Sequence, residues 1–436
     1  MARKKQYHDL YVYMNGLFVG TLIREPTGQL VFTYDDAWLN WDKSRPISLS
    51  MPLTEAPYKG QIVDCYFDNL LPDSELIRER IQARFQAPSK KSFDLLSLIG
   101  GDCVGALQIL TESGVDNVKR IQANPINDDA ISIVLKHYLT APLGMDRELD
   151  FRISIAGAQE KTALLWYQNE WCLPQGTTPT SHIIKLPIGR IAHSGIDLSE
   201  SVENEWLCLQ LLAAYQLPVN SAKMIQFNDI KTLVVERFDR RWSDDNSWLM
   251  RLPQEDLCQA LGKSSGLKYE SDGGPGITEI MTVLLGSQEA IDDRRKFIKS
   301  VFLFWVLGAI DGHAKNFSLK IASQGRYQLT PLYDVISAYP LAAKRQIEWQ
   351  TLKMAMSLKG KKRHYLWNSI QLRHWFVMAE KCQFSTMMMQ DIIDDVFDNM
   401  EDVITQVTQV LPLHFPSHIC DSIFSGMRKI KNRCMR

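Results

Sequence analysis

The chain has 436 residues, of which 45% are hydrophobic and 23% are charged, and its formal net charge at pH 7 is -1. This length and composition predict a folded protein with more than one domain and exclude an intrinsically disordered chain. A net charge this close to zero gives no global attraction to nucleic acid or to a membrane surface, so any contact with a polyanion must be local.

The basic N-terminal segment lacks the apolar stretch of a signal peptide. The longest apolar run, Val301–Ile310, is about half as long as a bilayer crossing requires. The eight cysteines include no C-x-x-C pair, which excludes the usual zinc-ligand spacing and favours reduced thiols. We therefore predict a cytoplasmic protein without membrane contact.

The first predicted element is a β-hairpin. Apolar residues alternate over Leu10–Leu22 on both sides of Asn15 and Gly16, a dipeptide typical of a two-residue hairpin turn. A small β-rich unit follows, and then an amphipathic helix within Asn69–Phe85, which we expect Pro72 to open.

The polar, proline-interrupted stretch Glu112–Pro142 predicts a domain boundary. From Asp150 to Asp239 the pattern is mainly strand, with one helix over Ser201–Leu217. After Arg251 the signals turn helical and a single hairpin interrupts them; the two clearest helical stretches are Glu289–Leu307 and Met387–Val407. We predict a β-rich N-terminal domain over residues 1–120, a second β-rich region over 121–250 and an α-helical region over 251–436.

Polar residues crowd together directly after the apolar run. The segments "FSLKIA" and "RYQLTPLYD" flank the turn Ser323–Gly325, and a hairpin centred there places Asn316 beside Asp334. Asp311 precedes Asn316 by five residues, which is the D-x-x-x-x-N spacing of the protein-kinase catalytic loop.

This spacing predicts Asp311 as a catalytic base and Asn316 and Asp334 as oxygen ligands of Mg²⁺ that carries the phosphates of ATP. The alternative is an aspartate at a helix C-terminus followed by an asparagine in a turn. His313 is predicted either to contact a phosphate of the nucleotide or to be a core histidine. Asn316 is predicted to contact the nucleotide as well as the metal ion.

A small-residue loop and a strand lysine lie upstream. The loop Ser154–Thr162 lets backbone N–H groups approach an anion closely, although such a loop is also an ordinary hairpin turn. Lys185 lies within the apolar strand "HIIKLP", where phosphates and a carboxylate from the next helix, Glu203 or Glu205, would satisfy its charge; otherwise it is an exposed edge-strand lysine. The predicted nucleotide-binding residues of this part are Ala156, Gly157, Ala158, Gln159, Glu160, Lys161 and Lys185, with Glu236, Arg237 and Phe238 at the adenine.

These segments resemble motifs of the HipA family of serine/threonine kinase toxins from bacterial toxin–antitoxin modules. The similarity covers nearly the whole chain and is closest to the type member of the family. The matching segments are "YFDNLLPDSELIRERI", "SFDLLSLIGGDCVGAL", "FRISIAGAQEKTALL", "SHIIKLP", "VVERFDRRW", "RLPQEDLCQ", "KYESDGGPGI", "DGHAKNFS" and "LTPLYDVISAYP".

The resemblance implies an α+β, two-lobed protein-kinase-like fold, with an extra N-terminal β subdomain on the β-rich N-terminal lobe and an all-α C-terminal lobe. It implies that Asp311 is the catalytic base, that Asn316 and Asp334 hold Mg²⁺, and that Ser154 is an autophosphorylation site. A phosphate on the nucleotide loop would repel those of ATP. It also implies an aminoacyl-tRNA synthetase as substrate, glutamyl-tRNA synthetase for the type member.

Such kinases are restrained by a small helix-turn-helix antitoxin, HipB, and the complex binds operator DNA. In the type member, basic residues of the helix matching Arg373–Phe384 contact DNA. Here Glu380 and Gln383 stand at those positions, which disfavours direct DNA contact, although Lys381 could substitute. The clusters at 359–364 and 427–436 are further basic candidates, or else solvated charge.

Two other functions fit the residues. One is a catalytically weak, antitoxin-binding corepressor that retains the fold. The other is a Mg²⁺-dependent phosphotransferase with a small-molecule acceptor.

Overall fold

The computed structural model describes residues 8–114, 117–140, 159, 161–191 and 195–435. The chain forms two units: the first comprises Met1–Leu186, Ile225–Gly266 and Leu319–Tyr327, and the second comprises Pro187–Met224, Leu267–Ser318 and Gln328–Arg436. The chain passes between the units several times. The limits of the units therefore differ from the domain boundaries that the sequence predicts near residues 120 and 250. The three consecutive domains stay a prediction.

The first unit begins with the predicted hairpin, which is present. Strands β1 (Asp9–Met14) and β2 (Leu17–Arg24) pair antiparallel, and their turn residues Asn15 and Gly16 have φ values of 49° and 85°. This left-handed backbone is the one that Asn-Gly adopts at little cost. The next elements along the chain are β3 (Leu30–Tyr34), α1 (Asp36–Leu39), β4 (Tyr58–Lys59), α2 (Gln61–Asp68), α3 (Glu75–Phe85), α4 (Ser92–Ile99) and β5 (Leu107–Leu110). The five strands form one sheet in the order β4-β3-β2-β1-β5.

Helix α3 begins later than the sequence predicts. The Ser74 hydroxyl accepts a hydrogen bond from the backbone N–H of Ile77, so the helix starts at Glu75 and not at Pro72. The sheet and the four helices enclose a continuous apolar core that includes Leu10, Phe32 and Phe67. This N-terminal part therefore buries a core of its own.

A second sheet in the first unit has the strand order β12-β13-β9-β7-β8-β6. Leu164, Ile184 and Val234 form part of its core. The strands and neighbouring elements are β6 (Ala123–Pro125), α5 (Asp128–Thr140), β7 (Lys161–Tyr167), β8 (Glu170–Pro174), β9 (His182–Lys185), β12 (Ala222–Phe227), β13 (Ile230–Glu236), β14 (Arg240–Trp242), β15 (Leu249–Arg251), β16 (Gln254–Asp256) and α7 (Leu257–Ala260).

The second unit is largely helical. The predicted helix at Glu289–Leu307 is present, but Met387–Val407 forms two helices, because Asn399 caps the first of them with a side-chain bond to the Asp395 carbonyl. The elements are β10 (Gly189–Arg190), β11 (Asp197–Leu198), α6 (Ser201–Ala214), α8 (Ile277–Val283), α9 (Ala290–Leu307), α10 (Tyr339–Ala343), β19 (Lys353–Lys359), β20 (Arg363–Leu366), α11 (Leu372–Lys381), α12 (Thr386–Asp398), α13 (Met400–Gln409) and α14 (Ser417–Cys434).

The predicted hairpin after α9 is also present. It consists of β17 (Ser318–Ile321) and β18 (Tyr327–Leu329) around the turn Ser323–Gly325. A second hairpin, β19–β20, interrupts the helical part where the sequence predicted only one. The predicted α+β class is confirmed. Within the described ranges, no helix has both the length and the apolar character that a membrane crossing needs.

Candidate functional site

The polar segment after α9 begins at a glycine that ends the helix. Gly308 adopts φ 62°, and its N–H donates to the Trp305 carbonyl. A Cβ at this position would lie 3.1 Å from the Tyr339 ring, on a backbone that residues with side chains rarely adopt. The chain therefore turns away from the buried helix here and carries Asp311 to the surface.

Asp311 is exposed, so its carboxylate does not carry the desolvation cost that a buried position would impose. Its backbone carbonyl accepts hydrogen bonds from the His313 N–H (2.8 Å) and from the Asn316 side chain (2.9 Å). These two bonds fix the loop between the three residues and leave the Asp311 carboxylate accessible.

Asn316 is 5% exposed and ties two loops of the second unit together. Its Nδ2 donates to the backbone carbonyl of Asp311 at 2.9 Å and lies 3.5 Å from that of Asp334. Asp334 has φ 60°, a conformation that aspartate tolerates better than most residues. The hairpin thus brings Asn316 beside Asp334, as the turn position predicts.

Residues 316 and 334 provide the donor types that Mg²⁺ prefers. Because Nδ2 of Asn316 faces the two carbonyls, Oδ1 is the amide atom that can meet a cation, and Asp334 supplies a carboxylate. The described ranges contain no group of three or more His, Cys, Asp or Glu side chains that could hold a metal ion. Two protein oxygens with further ligands from phosphate and water suit Mg²⁺, so the residues fit this ion.

Tyr269 is a neighbour of Asp311 that the sequence analysis did not predict. Its hydroxyl donates a 2.6 Å hydrogen bond to Oδ1 of Asp311, and its ring packs edge-to-face against His313 with centroids 5.1 Å apart. His313 is only 5% exposed, which favours the core-histidine alternative over direct phosphate contact. The "KYESDGGPGI" motif contains Tyr269, but no spacing rule linked it to Asp311.

Two lysines face each other in the first unit. Strands β7 and β9 pair with Lys161 directly opposite Lys185, which places both side chains on one face of the sheet, with Cβ atoms about 5 Å apart. Lys185 is 6% exposed. Two adjacent cations, one of them buried, make a favourable location for a polyanion such as a phosphate chain.

Arg237, predicted beside the adenine, has its side chain in a buried charge network of the first unit. Its guanidinium donates to Asp239 (2.7 Å) and lies 3.3 Å from Asp102. Burial raises the pKa of Asp102, but the charges of Arg240, Arg237 and Arg251 outweigh this effect and hold it well below its usual value. The Arg237 side chain therefore has a structural role here.

The other predicted residues of the first unit have different environments. The Gln159 side chain donates to the Leu186 carbonyl at 2.5 Å. Glu236 ends β13 with its side chain exposed, and Phe238 is half-buried. Ser154, Ala156, Gly157, Ala158 and Glu160 lie outside the described residues.

Glu203 and Glu205 lie in the second unit, on α6, where both are buried at 3% and 2% exposure. A pairing of either residue with Lys185 stays a prediction.

Several of the basic candidates for DNA contact have partners within the second unit. The Lys381 ammonium donates to the Gly360 carbonyl at 2.7 Å, and Lys359 forms an ion pair with Glu279 at 3.0 Å. In the C-terminal cluster, Arg428 pairs with Glu401 at 2.6 Å. These contacts favour solvated or internally paired charge.

With this geometry in view, comparison with known proteins identifies the family. Residues 10–110 match the family model described as the HipA N-terminal domain, and residues 153–404 match the model described as the HipA-like C-terminal domain. The chain belongs to the HipA family. The resemblance read from its motifs is thereby confirmed.

Two curated relatives extend this HipA assignment. A Sinorhizobium fredii protein named "Putative kinase Y4mE" is 34% identical over 338 residues, which cover 76% of this chain and 78% of the relative. The "Serine/threonine-protein kinase toxin HipA" of Shewanella oneidensis is 24% identical over 340 residues, which cover 75% of each chain. This member of the HipA family is accordingly a kinase.

A solved structure shows the same fold. HipA of Shewanella oneidensis, crystallised with HipB and its operator DNA, matches with a TM-score of 0.81 at 21% identity and covers 98% of this chain and 97% of that one. The architecture of the present HipA-family chain is therefore that of the toxin over nearly its full length.

Proposed function

We propose that this chain is an ATP- and Mg²⁺-dependent protein kinase that phosphorylates serine or threonine and acts as the toxin of a toxin–antitoxin module. The observation that carries the proposal is the position of Asn316, whose amide joins the backbone of Asp311 to that of Asp334. A kinase needs its catalytic base held at a fixed distance from the two residues that bind the metal ion. The Asn316 side chain holds these segments together.

Asp311 acts as the base. Its exposed carboxylate accepts the proton of the substrate hydroxyl as the hydroxyl oxygen bonds to the γ-phosphorus of ATP and the bond to the leaving ADP breaks. Tyr269 holds one carboxylate oxygen through its hydroxyl, so the other oxygen is the one that receives the proton.

The remaining residues bind the nucleotide. Asn316 and Asp334 hold Mg²⁺, which when bound neutralises charge on the phosphates. For Lys161 and Lys185, which lie opposite each other on adjacent strands, we infer a role in binding phosphate, and for the backbone near Glu236 and Phe238 a role in binding adenine. Ser154 in the nucleotide loop is the autophosphorylation site, where a phosphate would oppose ATP binding.

The substrate is an aminoacyl-tRNA synthetase, with glutamyl-tRNA synthetase as the first candidate, so that phosphorylation stops translation. A HipB-like helix-turn-helix antitoxin restrains the kinase, and their complex binds operator DNA. Support comes from the HipA toxin kinase and the HipA–HipB–DNA complex to which this chain is similar. Because Lys359 is paired with Glu279 and the Lys381 ammonium is held by the Gly360 carbonyl, we assign the DNA contact to the antitoxin.

The decisive test is labelling with radioactive ATP and Mg²⁺ in the presence of purified aminoacyl-tRNA synthetases. We expect label on a serine of glutamyl-tRNA synthetase and on Ser154, both lost in Asp311→Asn. Asp391→Asn, which makes the same exchange at an exposed position on α12, should label as the wild type does. Equal labelling by Asp311→Asn would remove Asp311 from the base role, and growth arrest without any labelling would favour the non-enzymatic corepressor.

A further inference from the structure

The second unit contains a cavity of about 840 Å³ lined by α10, α14 and the segments at Trp349 and Trp367. Small-molecule sites have volumes of roughly 300–1,000 Å³. All lining residues lie between Tyr339 and Arg433, so none of the residues assigned above to phosphoryl transfer contributes to this cavity.

One wall is aromatic. The Trp349 ring lies 4.8 Å from the rings of both Tyr339 and Trp367, measured between centroids. Behind this wall, the Tyr339 hydroxyl donates to the Val306 carbonyl and the Trp367 indole N–H donates to the Trp305 carbonyl. Because this hydroxyl and this indole N–H are already hydrogen-bonded within the protein, the wall presents ring surface to a ligand. Trp349 is half-buried and is the most accessible of the three rings.

A further part of the lining is the polar face of α14. Its lining residues recur at spacings of three and four, which places them on one side of the helix. Gly426 lets this helix approach closely, because a Cβ there would lie only 2.3 Å from the Tyr339 ring. The polar lining residues of α14 are His418, Asp421, Ser422, Ser425, Lys429 and Arg433.

Positive charge is concentrated at the C-terminal end of this face of α14. Arg433 lies over the Trp367 ring at 5.6 Å and donates to neutral oxygens of Asn368 and Ile370, which leave its charge in place. Lys429 lies one turn earlier on the same face. At the other end, His418 pairs with Glu200 at 2.8 Å. A ligand anion would therefore lie between Lys429 and Arg433.

We propose that this cavity binds a free nucleoside monophosphate, with its base stacked on Trp349 and its phosphate between Lys429 and Arg433. A planar base matches the aromatic wall, since stacking of a base on an aromatic side chain is sequence-tolerant and favourable. A simple aromatic acid would leave Ser422, Ser425 and Asp421 facing an apolar ring, whereas ribose hydroxyls and the edge of a base can bond to them.

The test is isothermal titration of AMP and GMP into the full chain with the kinase site first saturated by Mg²⁺ and a non-hydrolysable ATP analogue. We expect one further equivalent of at least one of the two nucleotides to bind. Trp349→Ala and Lys429→Glu should each weaken this binding by roughly tenfold or more. Binding that survives both substitutions at wild-type strength would overturn the proposal.

Matched controls make the same exchanges elsewhere. Trp166→Ala removes an exposed tryptophan of β7, and Lys361→Glu reverses an exposed lysine before β20; both should bind the nucleotide as the wild type does. Circular dichroism melting checks that all variants fold. The proposal fails if neither nucleotide binds at millimolar concentration, if only a single-stranded oligonucleotide binds, or if indole-3-carboxylate binds as tightly.

Discussion

The hydroxyl of Tyr269 lies 2.6 Å from Oδ1 of Asp311 and donates a hydrogen bond to it. This bond joins a residue before α8 to the loop after α9. It restricts rotation of the carboxylate and leaves Oδ2 as the oxygen that can face a substrate hydroxyl. Tyr269 is therefore a positioning residue for the proposed base.

Replacing Tyr269 by Phe should lower kcat by roughly tenfold, since a hydrogen bond to a charged group contributes about 1.5–3 kcal/mol. The affinity for nucleotide should stay unchanged, because Asp311, which accepts the bond from the lost hydroxyl, is proposed as the base and not as a ligand of the nucleotide or of Mg²⁺. Steady-state kinetics and fluorescence titration separate the two effects. Tyr365→Phe on β20 is the control, and a kcat equal to that of the wild type would exclude the positioning role.

Asn316→Ala should raise the Mg²⁺ concentration that gives half-maximal activity and should also destabilise the fold. The substitution removes one of the two hydrogen bonds to the Asp311 carbonyl, the 2.9 Å bond from Nδ2 of Asn316, and an intramolecular hydrogen bond contributes about 0.5–1.5 kcal/mol. Urea unfolding measures the stability, and a Mg²⁺ titration of activity measures the site. An unchanged Mg²⁺ midpoint would remove Asn316 from the metal site.

Lys161→Met should weaken ATP binding. Lys161 lies directly opposite Lys185 on the neighbouring strand, and the proposed function has both ammonium groups contact the phosphates of ATP through charge-assisted hydrogen bonds. Melting curves with and without MgATP measure the binding through the shift in melting temperature, and Lys231→Met on β13 provides the control. A variant that MgATP stabilises as much as it stabilises the wild type would contradict this role.

The sequence predicted those features that depend on local chemistry. Asn15 and Gly16 define the first turn, α9 ends at Leu307 as the predicted helix does, and the turn at Ser323–Gly325 is sufficient to place Asn316 beside Asp334. Each follows from residues close together in the chain, where backbone preference and register decide the outcome.

Features that join distant residues were not predictable in this way. Tyr269 meets Asp311 across 42 residues, and Arg237 meets Asp102 across 135. Neither hydrophobic periodicity nor a motif encodes such side-chain contacts, because the fold as a whole brings them together. The adenine assignment of Arg237 considered only its neighbours in sequence and therefore missed the buried network.

Arg237→Ala should destabilise the first unit by about 3–5 kcal/mol, because it leaves the buried carboxylates of Asp239 and Asp102 short of a cation. Arg241→Ala, the same exchange at an exposed position on β14, should have little effect. Denaturant unfolding compares the two, and ATP titration of the folded fraction tests the nucleotide role. Wild-type stability together with weakened ATP binding would support the predicted role at the adenine and reject the structural one.

Stability should also depend on pH through Glu255, which is fully buried, with Ser48 at 2.5 Å and the Leu49 N–H at 2.8 Å from its carboxyl oxygens. Burial raises the pKa of Glu255 from 4.5 to about 8, although these two hydrogen bonds lower it. The folded chain thus keeps a proton that the unfolded chain releases, so the free energy of unfolding should fall as the pH rises from about 4.5 to about 8.

Glu255→Gln tests this dependence, because the amide keeps the shape of the protonated carboxyl and can donate to Ser48 while accepting from Leu49. Well above pH 8 the variant should be more stable than the wild type, by on the order of 5 kcal/mol if the whole shift is expressed. Urea unfolding across the pH range measures the difference. Parallel stability curves for the two proteins would show that Glu255 does not keep a proton that the unfolded chain releases, and would contradict the raised pKa.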